Sequence, residues 1–281
     1  MIKTMQRWLQ GKGRGVSILV PFQCREHAVQ RAENWMWLKK YWQAHFPWAQ
    51  IVIGEDRVSN RNLDLPFSKS AAVNDAVKKA TGDIFVIVDA DGFLAAKSVE
   101  HCVEKIREDR DKGFKLWFIP YRQFYRLTPV ASKELIESDP ECPYEIPTPP
   151  PPIDIQNVSG SGHGHWWGAG IQIMPREAFE EVGGWDERFR GWGGEDHAAM
   201  RAMDTLYWPH KTLPGQFLHI WHPMFSPTAT SDWVDWKERV WANQTIPGTN
   251  EKLTGRYYGA RGDRKRMRKL LDEGKDARFT E

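Results

Sequence analysis

Two aspartates, Asp89 and Asp91, follow directly on the apolar run Ile84 to Val88. Five uninterrupted apolar residues predict a strand buried on both faces, which sets the two carboxylates at the carboxyl end of a core strand. Carboxylates placed there lose hydration and repel each other unless they share a cation or a donor. A hard divalent ion, Mn2+ or Mg2+, relieves both penalties and can bridge to a diphosphate. A solvated Asp-Gly turn is the competing reading of the same residues. A second acidic pair, Glu195 and Asp196, follows Gly191-Trp192-Gly193-Gly194 at the start of a predicted helix. The glycines permit tight turning and close approach of a ligand, the Trp192 indole offers a face to a sugar, and the helix dipole favours acids in the first turn. Simple capping would account for the two acids alone.

Two further stretches carry chemistry. His219-Ile220-Trp221-His222-Pro223 sets two imidazoles three residues apart. They face the same way only if the strand predicted over Gln216 to Ile220 ends between them, as Pro223 favours, and near a carboxylate they make metal ligands. His163 and His165, in the glycine-rich run Ser159 to His165, compete for that role. Pro21 to His27, after the first strand, brings Phe22 for a base pocket and Arg25 for a phosphate.

Positioning these groups requires an α/β scaffold. Val16 to Val20, Ile51 to Ile53, Ile84 to Val88 and Leu116 to Ile119 predict strands. Helices are predicted between them over Glu26 to Phe46, over Ser70 to Lys79, and around Val99, Cys102, Val103 and Ile106. This alternation implies a single open, mostly parallel Rossmann-like sheet flanked by helices, with ligands beyond the carboxyl ends of its strands. The proline-rich stretch Asp139 to Pro152 and the glycine-rich run after it predict an insertion and a mobile loop. Sheet resumes at Gly170 to Met174, a short helix runs after Pro175 to Val182, and Glu195 to Met203 is helical. After Tyr258 comes a run dense in Arg and Lys, most simply a solvated helix face.

The chain has 281 residues, 41% hydrophobic and 27% charged, which excludes a disordered chain and allows a large buried core. Lys and Arg number 39 against 37 acids, so no strong field points to nucleic acid or a membrane surface. Cys24, Cys102 and Cys142 have neither disulfide-framework nor zinc spacing. No apolar run suggests a signal peptide or membrane span, and a cytoplasmic protein is expected.

In order, these stretches resemble the β-1,4-galactosyltransferases, within the wider group of GT-A glycosyltransferases, over roughly Ser17 to Pro223. Val20 to His27 is similar to that family's Pro-Phe-Arg-x-Arg strand end, and Phe67 to Asn74 to its Phe-Asn-Arg-Ala-x-x-x-Asn stretch. Asp89-Ala90-Asp91 matches its metal-binding Asp-x-Asp. Gly168 to Pro175 with Phe179 to Trp185 looks like its Gly-Gly strand and following helix. Gly191 to Asp196 reproduces its Gly-Trp-Gly-Gly-Glu-Asp unchanged, and His219-x-x-His222 stands where it has Met-x-x-His.

The resemblance implies an inverting transferase with a UDP-sugar donor, and an ion held by Asp91, His219 and His222 with Asp89 beside them. It implies nucleotide contacts from Pro21, Phe22, Arg25, Glu55, Phe67, Lys69 and Asp89. Trp192, Gly193, Gly194 and Glu195 would meet the acceptor sugar, and Asp196 would be the base. Gln23, Lys69, His219 and His197 depart from the family pattern, and the stem and anchor of Golgi members are missing, which favours a bacterial or viral enzyme. The implied organisation is an extension over 1–15 and a catalytic domain over 16–258. Its nucleotide half spans about 16–120 and its acceptor half about 155–225, with a basic tail over 259–281. The acceptor is a glycan, glycoprotein or small molecule. An inactive carbohydrate-binding protein on the same fold is the alternative; a sugar-nucleotide pyrophosphorylase is disfavoured because Gly11 to Gly15 precedes the first strand.

Overall fold

The apolar runs of the sequence become the core of one sheet. The structure, a computed structural model, describes residues 15–23, 29–62, 65–147, 150–159, 170–191, 193–223 and 250–276. Strand β1 (Val16–Pro21) pairs in parallel with β2 (Gln50–Gly54) on one side and with β3 (Ile84–Val88) on the other. The order continues through β8 (Ile171–Pro175), β5 (Phe118–Ile119) and β9 (Lys211–Thr212), giving β2-β1-β3-β8-β5-β9. Only β8 runs against its neighbours, so the sheet is mostly parallel. All five residues of β3 are buried, as a strand covered on both faces requires.

Helices α1 (Val29–His45), α2 (Arg57–Arg61), α3 (Lys69–Lys79) and α4 (Ala96–Asp111) lie between these strands. Helix α3 begins where the Ser68 hydroxyl accepts the Ala71 N–H, and it packs tightly on β2. A Cβ on Gly54 would come within 1.9 Å of the Ala72 carbonyl oxygen, so only glycine allows that approach. Trp35, Trp37, Trp42, Trp117 and Trp185 are buried and add their large apolar surfaces to the core.

A second, four-stranded sheet lies beside the expected one. Its order is β4 (Gly92–Phe93), β10 (Gln216–His219), β6 (Gln123–Leu127) and β7 (Ile155–Ser159). The late strand foreseen over Gln216 to Ile220 therefore extends this smaller sheet, because the chain turns sharply after β3 through Gly92 N–H to Asp89 carbonyl (3.0 Å) and offers β4 as its partner. Helix α5 (Pro129–Glu137) follows β6, capped by Thr128 with Pro129 in its first turn. Helix α6 (Arg176–Val182) stops at Gly183, whose φ of 76° is left-handed.

Helices α7 (Glu195–Leu206), α8 (Asn250–Gly259) and α9 (Arg264–Asp276) pack together. The basic run is more than a solvated face. Met267, Leu270 and Leu271 of α9 are buried, while Arg264 donates to the carbonyls of Thr205 (3.1 Å) and Leu206 (2.6 Å) at the end of α7. Residues 160–169, with His163, His165 and most of the predicted mobile loop, lie outside the described residues, as do residues 1–14. Among the described residues no helix is long and apolar enough to cross a membrane.

Candidate active site

Backbone pairing builds one half of the site. Gly92 of β4 is the ladder partner of His219 in β10, and the Ile220 N–H donates to the Asp91 carbonyl at 2.8 Å. The strand ends at His219, so the chain turns and brings His222 back to the same carboxylate. That turn is tied down from two sides: Trp221 N–H donates to Ser132 Oγ (2.8 Å), and Asn34 Nδ2 donates to the Trp221 carbonyl (2.9 Å).

Asp91 is fully buried, with His222 Nε2 3.1 Å and His219 Nε2 3.6 Å from its oxygens and Arg31 Nε donating to Oδ2 at 2.8 Å. One ligand atom from each of Asp91, His219 and His222 lies within 4.8 Å of the others. Burial works against the Asp91 charge, but Arg31 above all, with a hydrogen bond from His222, holds its carboxyl well below the usual range. Burial pushes His219 down to about 3, against the pull of Asp91, so its ring is neutral. His222 Nδ1 lies 2.9 Å from the Pro223 carbonyl, and the tautomer that donates there leaves Nε2, on the Asp91 side, as the ligand atom. Asp91 Oδ1 is buried without a hydrogen-bond partner. Lone pairs from two imidazoles and a carboxylate, converging around an unsatisfied oxygen, fit a divalent cation.

The other half is an ammonium among carboxylates. Lys69, in the first turn of α3, places Nζ 2.6 Å from Asp89 Oδ1, 2.8 and 3.0 Å from the two Asp196 oxygens, and 4.0 Å from Glu195. Burial disfavours the ammonium, yet Asp196, Asp89 and Glu195 more than offset this and raise its proton affinity. Burial also raises Asp196 well above an ordinary aspartate; Lys69 opposes the shift and the Glu195 and Asp89 charges reinforce it. Glu195 is raised too, again chiefly by burial.

Three connections fix the segment that carries these acids against α3. Arg190 Nη1 reaches the buried Asp56 carboxylate at 3.0 Å, Ser68 Oγ donates to the Phe189 carbonyl at 2.8 Å, and Gly191 N–H donates to the Phe67 carbonyl at 2.8 Å. From the far side Asn250 Nδ2 donates to the Arg190 carbonyl (2.9 Å) and Tyr257 to Asp186 (2.8 Å). Gly194 caps α7 with φ 93°, and a Cβ there would stand 2.0 Å from Thr254 Oγ1.

The structure thus brings together Asp89, Asp91, His219, His222, Lys69, Glu195 and Asp196. Pro21 ends β1 beside Gly54, half-buried Phe22 meets Trp35 with ring centroids 6.3 Å apart, and Glu55 is exposed after β2. Phe67 and Gly193 flank the Lys69 and Glu195 segments. Arg25 and Trp192 lie outside the described residues. Sequence reasoning missed Arg31, Asp56, Arg190 and Asn250. Of these only Asp56 carries a local signal, as the cap of α2, where it accepts the N–H groups of Val58 and Ser59.

Residues 47–182 match the model of glycosyl transferase family 2, and residues 161–205 match that of the N-terminal domain of galactosyltransferase. The second match includes the Gly191 to Asp196 segment. Both matches are to glycosyltransferase models, and together they span residues 47–205 of this chain. The chain is thus similar to the family 2 glycosyltransferases over the first span and to the galactosyltransferases over the second. No curated protein matches it in sequence.

Among solved structures, the catalytic domain of Drosophila beta1,4-galactosyltransferase 7 in complex with xylobiose is 15% identical, with a TM-score of 0.39 over 85% of this chain and 83% of that one. GalNAc-T7 with UDP, GalNAc and Mn2+ is 13% identical, with a TM-score of 0.41 over 93% of this chain and 55% of its own. Glucosyl-3-phosphoglycerate synthase from Mycobacterium tuberculosis, with Mg2+ and UDP, is 12% identical, with a TM-score of 0.38 over 79% and 76%. All three likenesses are distant.

Proposed function

We propose that the protein is an inverting, metal-dependent transferase that moves a sugar from a UDP-sugar to an acceptor hydroxyl, with Asp196 as general base. One observation carries this reading. A single ammonium, Lys69, spans Asp89 of the Asp-x-Asp and Asp196 of the Gly-Trp-Gly-Gly-Glu-Asp, so the metal-capable and base-capable groups share one pocket. Asp91, His219 and His222 would hold Mn2+ or Mg2+, with Asp89 beside them. Such an ion supplies positive charge for the leaving diphosphate.

The chain's own residues do the rest. Asp196, its proton affinity raised by burial, takes the proton from the acceptor hydroxyl, and Glu195 orients the acceptor. Lys69 favours the ionised form of Asp196 against the effect of burial and stands where phosphate oxygens of the donor could also meet it. Pro21, Phe22, Glu55 and Phe67 serve the nucleotide side and Gly193 and Gly194 the sugar side, where exclusion of water would spare the donor from hydrolysis; the roles expected of Arg25 and Trp192 fall outside the described residues. Residues 16–120 then form the nucleotide half and 155–225 the acceptor half, for an acceptor that is a glycan, a glycoprotein or a small molecule. The test is UDP release from a panel of UDP-sugars with Mn2+, Mg2+ or EDTA, with and without acceptor sugars. Metal-dependent release from one donor supports the reading; silence across the panel, with no UDP binding by calorimetry, overturns it.

A further inference from the structure

Arg126 lies on β6, in register with His219 across the parallel pairing of β6 and β10. Phe124, two residues earlier and so on the same face of the strand, has its ring centroid 6.0 Å from that of His219. The Arg126 guanidinium stands 5.3 Å from the centre of the same Phe124 ring. The cation and the imidazole therefore share one aromatic neighbour, and Arg126 borders the Asp91, His219 and His222 cluster.

Its bonding is unlike that of the two arginines that brace the site. Arg31 donates to Asp91 and Arg190 to Asp56. Among the described residues the Arg126 guanidinium makes no hydrogen bond and no ion pair, although it offers five N–H donors. It is half-buried; burial lowers its proton affinity, and Asp91 and Asp89 are the charges that push back. An arginine stays charged in such a setting, so a partly desolvated cation with open donors faces the site. That arrangement costs stability unless an anion completes it.

We propose that Arg126 binds the diphosphate of the nucleotide-sugar donor. The planar fork of a guanidinium suits two phosphoryl oxygens, and the diphosphate is the group that an ion at Asp91 would draw to this side of the pocket. The inference rests on the reading of the site as a nucleotide-sugar site and adds a residue outside the sequence motifs.

Calorimetry with UDP, uridine and inorganic pyrophosphate, each with Mn2+, tests it on the wild type, Arg126→Gln and Arg126→Lys. Arg126→Gln should weaken UDP and pyrophosphate by about 10- to 100-fold, the range of a hydrogen bond to a charged group. Uridine affinity should stay unchanged, Mn2+ affinity without nucleotide should not fall, and Arg126→Lys should recover part of the loss. The unfolding midpoint should hold or rise, since an unpartnered charge is removed. Undiminished pyrophosphate affinity in Arg126→Gln, or an equal loss for uridine, overturns the assignment. A wild type that binds pyrophosphate but not UDP, with the loss confined to Arg126→Gln, sinks the donor reading and leaves the anion site standing. A wild type that binds neither overturns both.

Discussion

Replacing Arg190 by methionine keeps most of the side-chain volume and removes the charge that faces Asp56. Both side chains are almost fully buried, 4% and 0% exposed, with Nη1 3.0 Å from Oδ2. Breaking such a pair from one side costs about 3–5 kcal/mol, because the remaining charge stays buried. Asp56 keeps three N–H donors, from Val58 (3.2 Å), Ser59 (3.4 Å) and Ser68 (2.9 Å), which places the loss near the lower figure, about 3 kcal/mol. For a domain of this size about 2–4 °C is lost per kcal/mol, so the melting temperature should fall by roughly 6–12 °C.

The same change should reach the chemistry. Arg190 is tied to Asp56, Ser68 is tied to Phe189, and Lys69 and Asp196 lie just beyond these ties. Loosening them misplaces base against donor, and a shift of about 1 Å can cost on the order of a hundredfold in rate. Thermal unfolding by circular dichroism and transfer assays at a temperature where the variant is fully folded read the two effects separately. In a double-mutant cycle, Asp56→Asn with Arg190→Met should recover part of the single-variant loss. A melting point within about 1 °C of wild type, with wild-type turnover, would refute the idea that this pair anchors the segment.

Other outcomes follow from the same geometry. Asp196→Asn should bind UDP normally yet lose transfer, whereas Asp91→Ala should lose metal-dependent UDP binding; calorimetry beside a transfer assay separates the two, and full activity in either variant contradicts its assigned role. Gly194→Ala, at φ 93° and 2.0 Å from Thr254 Oγ1, should destabilise the fold by about 1–3 kcal/mol, while Gly193→Ala, at φ 96° with open space, should cost less; urea midpoints decide. In chelator-treated protein His219, pushed down to about 3, binds fewer protons folded than unfolded, so stability should drain as pH drops below about 6.5 and continue to drain toward 3. From pH 6.5 to 5 that amounts to about 1–2 kcal/mol, and His219→Gln should flatten the slope. The contribution of Asp91, whose folded pKa is depressed, is present above about 3.9 and is lost only below that value, as pH falls toward the folded pKa.

The parts of the site that were legible in the sequence are those whose signal is local. Ile84 to Val88 could only be a buried strand, and that placed Asp89 and Asp91 at its end. Pro223 marked the chain turn that brings His219 and His222 to one carboxylate. Lys69 was visible as a candidate for the nucleotide, but its place between Asp89 and Asp196 was not, because the partner acid lies 127 residues further on. Arg190 and Asp56 are 134 residues apart and Arg31 and Asp91 are 60 apart, so no spacing rule could pair them. Strand β6 was hidden for another reason: Gln123-Phe124-Tyr125-Arg126-Leu127 mixes polar and aromatic residues on a half-buried strand. In α9 the density of charge masked Met267, Leu270 and Leu271, whose helical spacing makes a buried stripe.

The pairing of β4 with β10 has a consequence for how the protein comes into being. The two acids of the Asp-x-Asp are synthesised long before the imidazoles that join them, and Asn34 must wait for a carbonyl 187 residues further on. Closing loops of that length adds little to the equilibrium cost, since the entropy grows only logarithmically, but it slows folding. Asp91, His219 and His222, the proposed ligands of the ion, can therefore meet only once the chain as far as residue 222 has been made. An N-terminal piece that stops before β10 would hold the two aspartates without either imidazole, so metal affinity would report that this long-range pairing has formed.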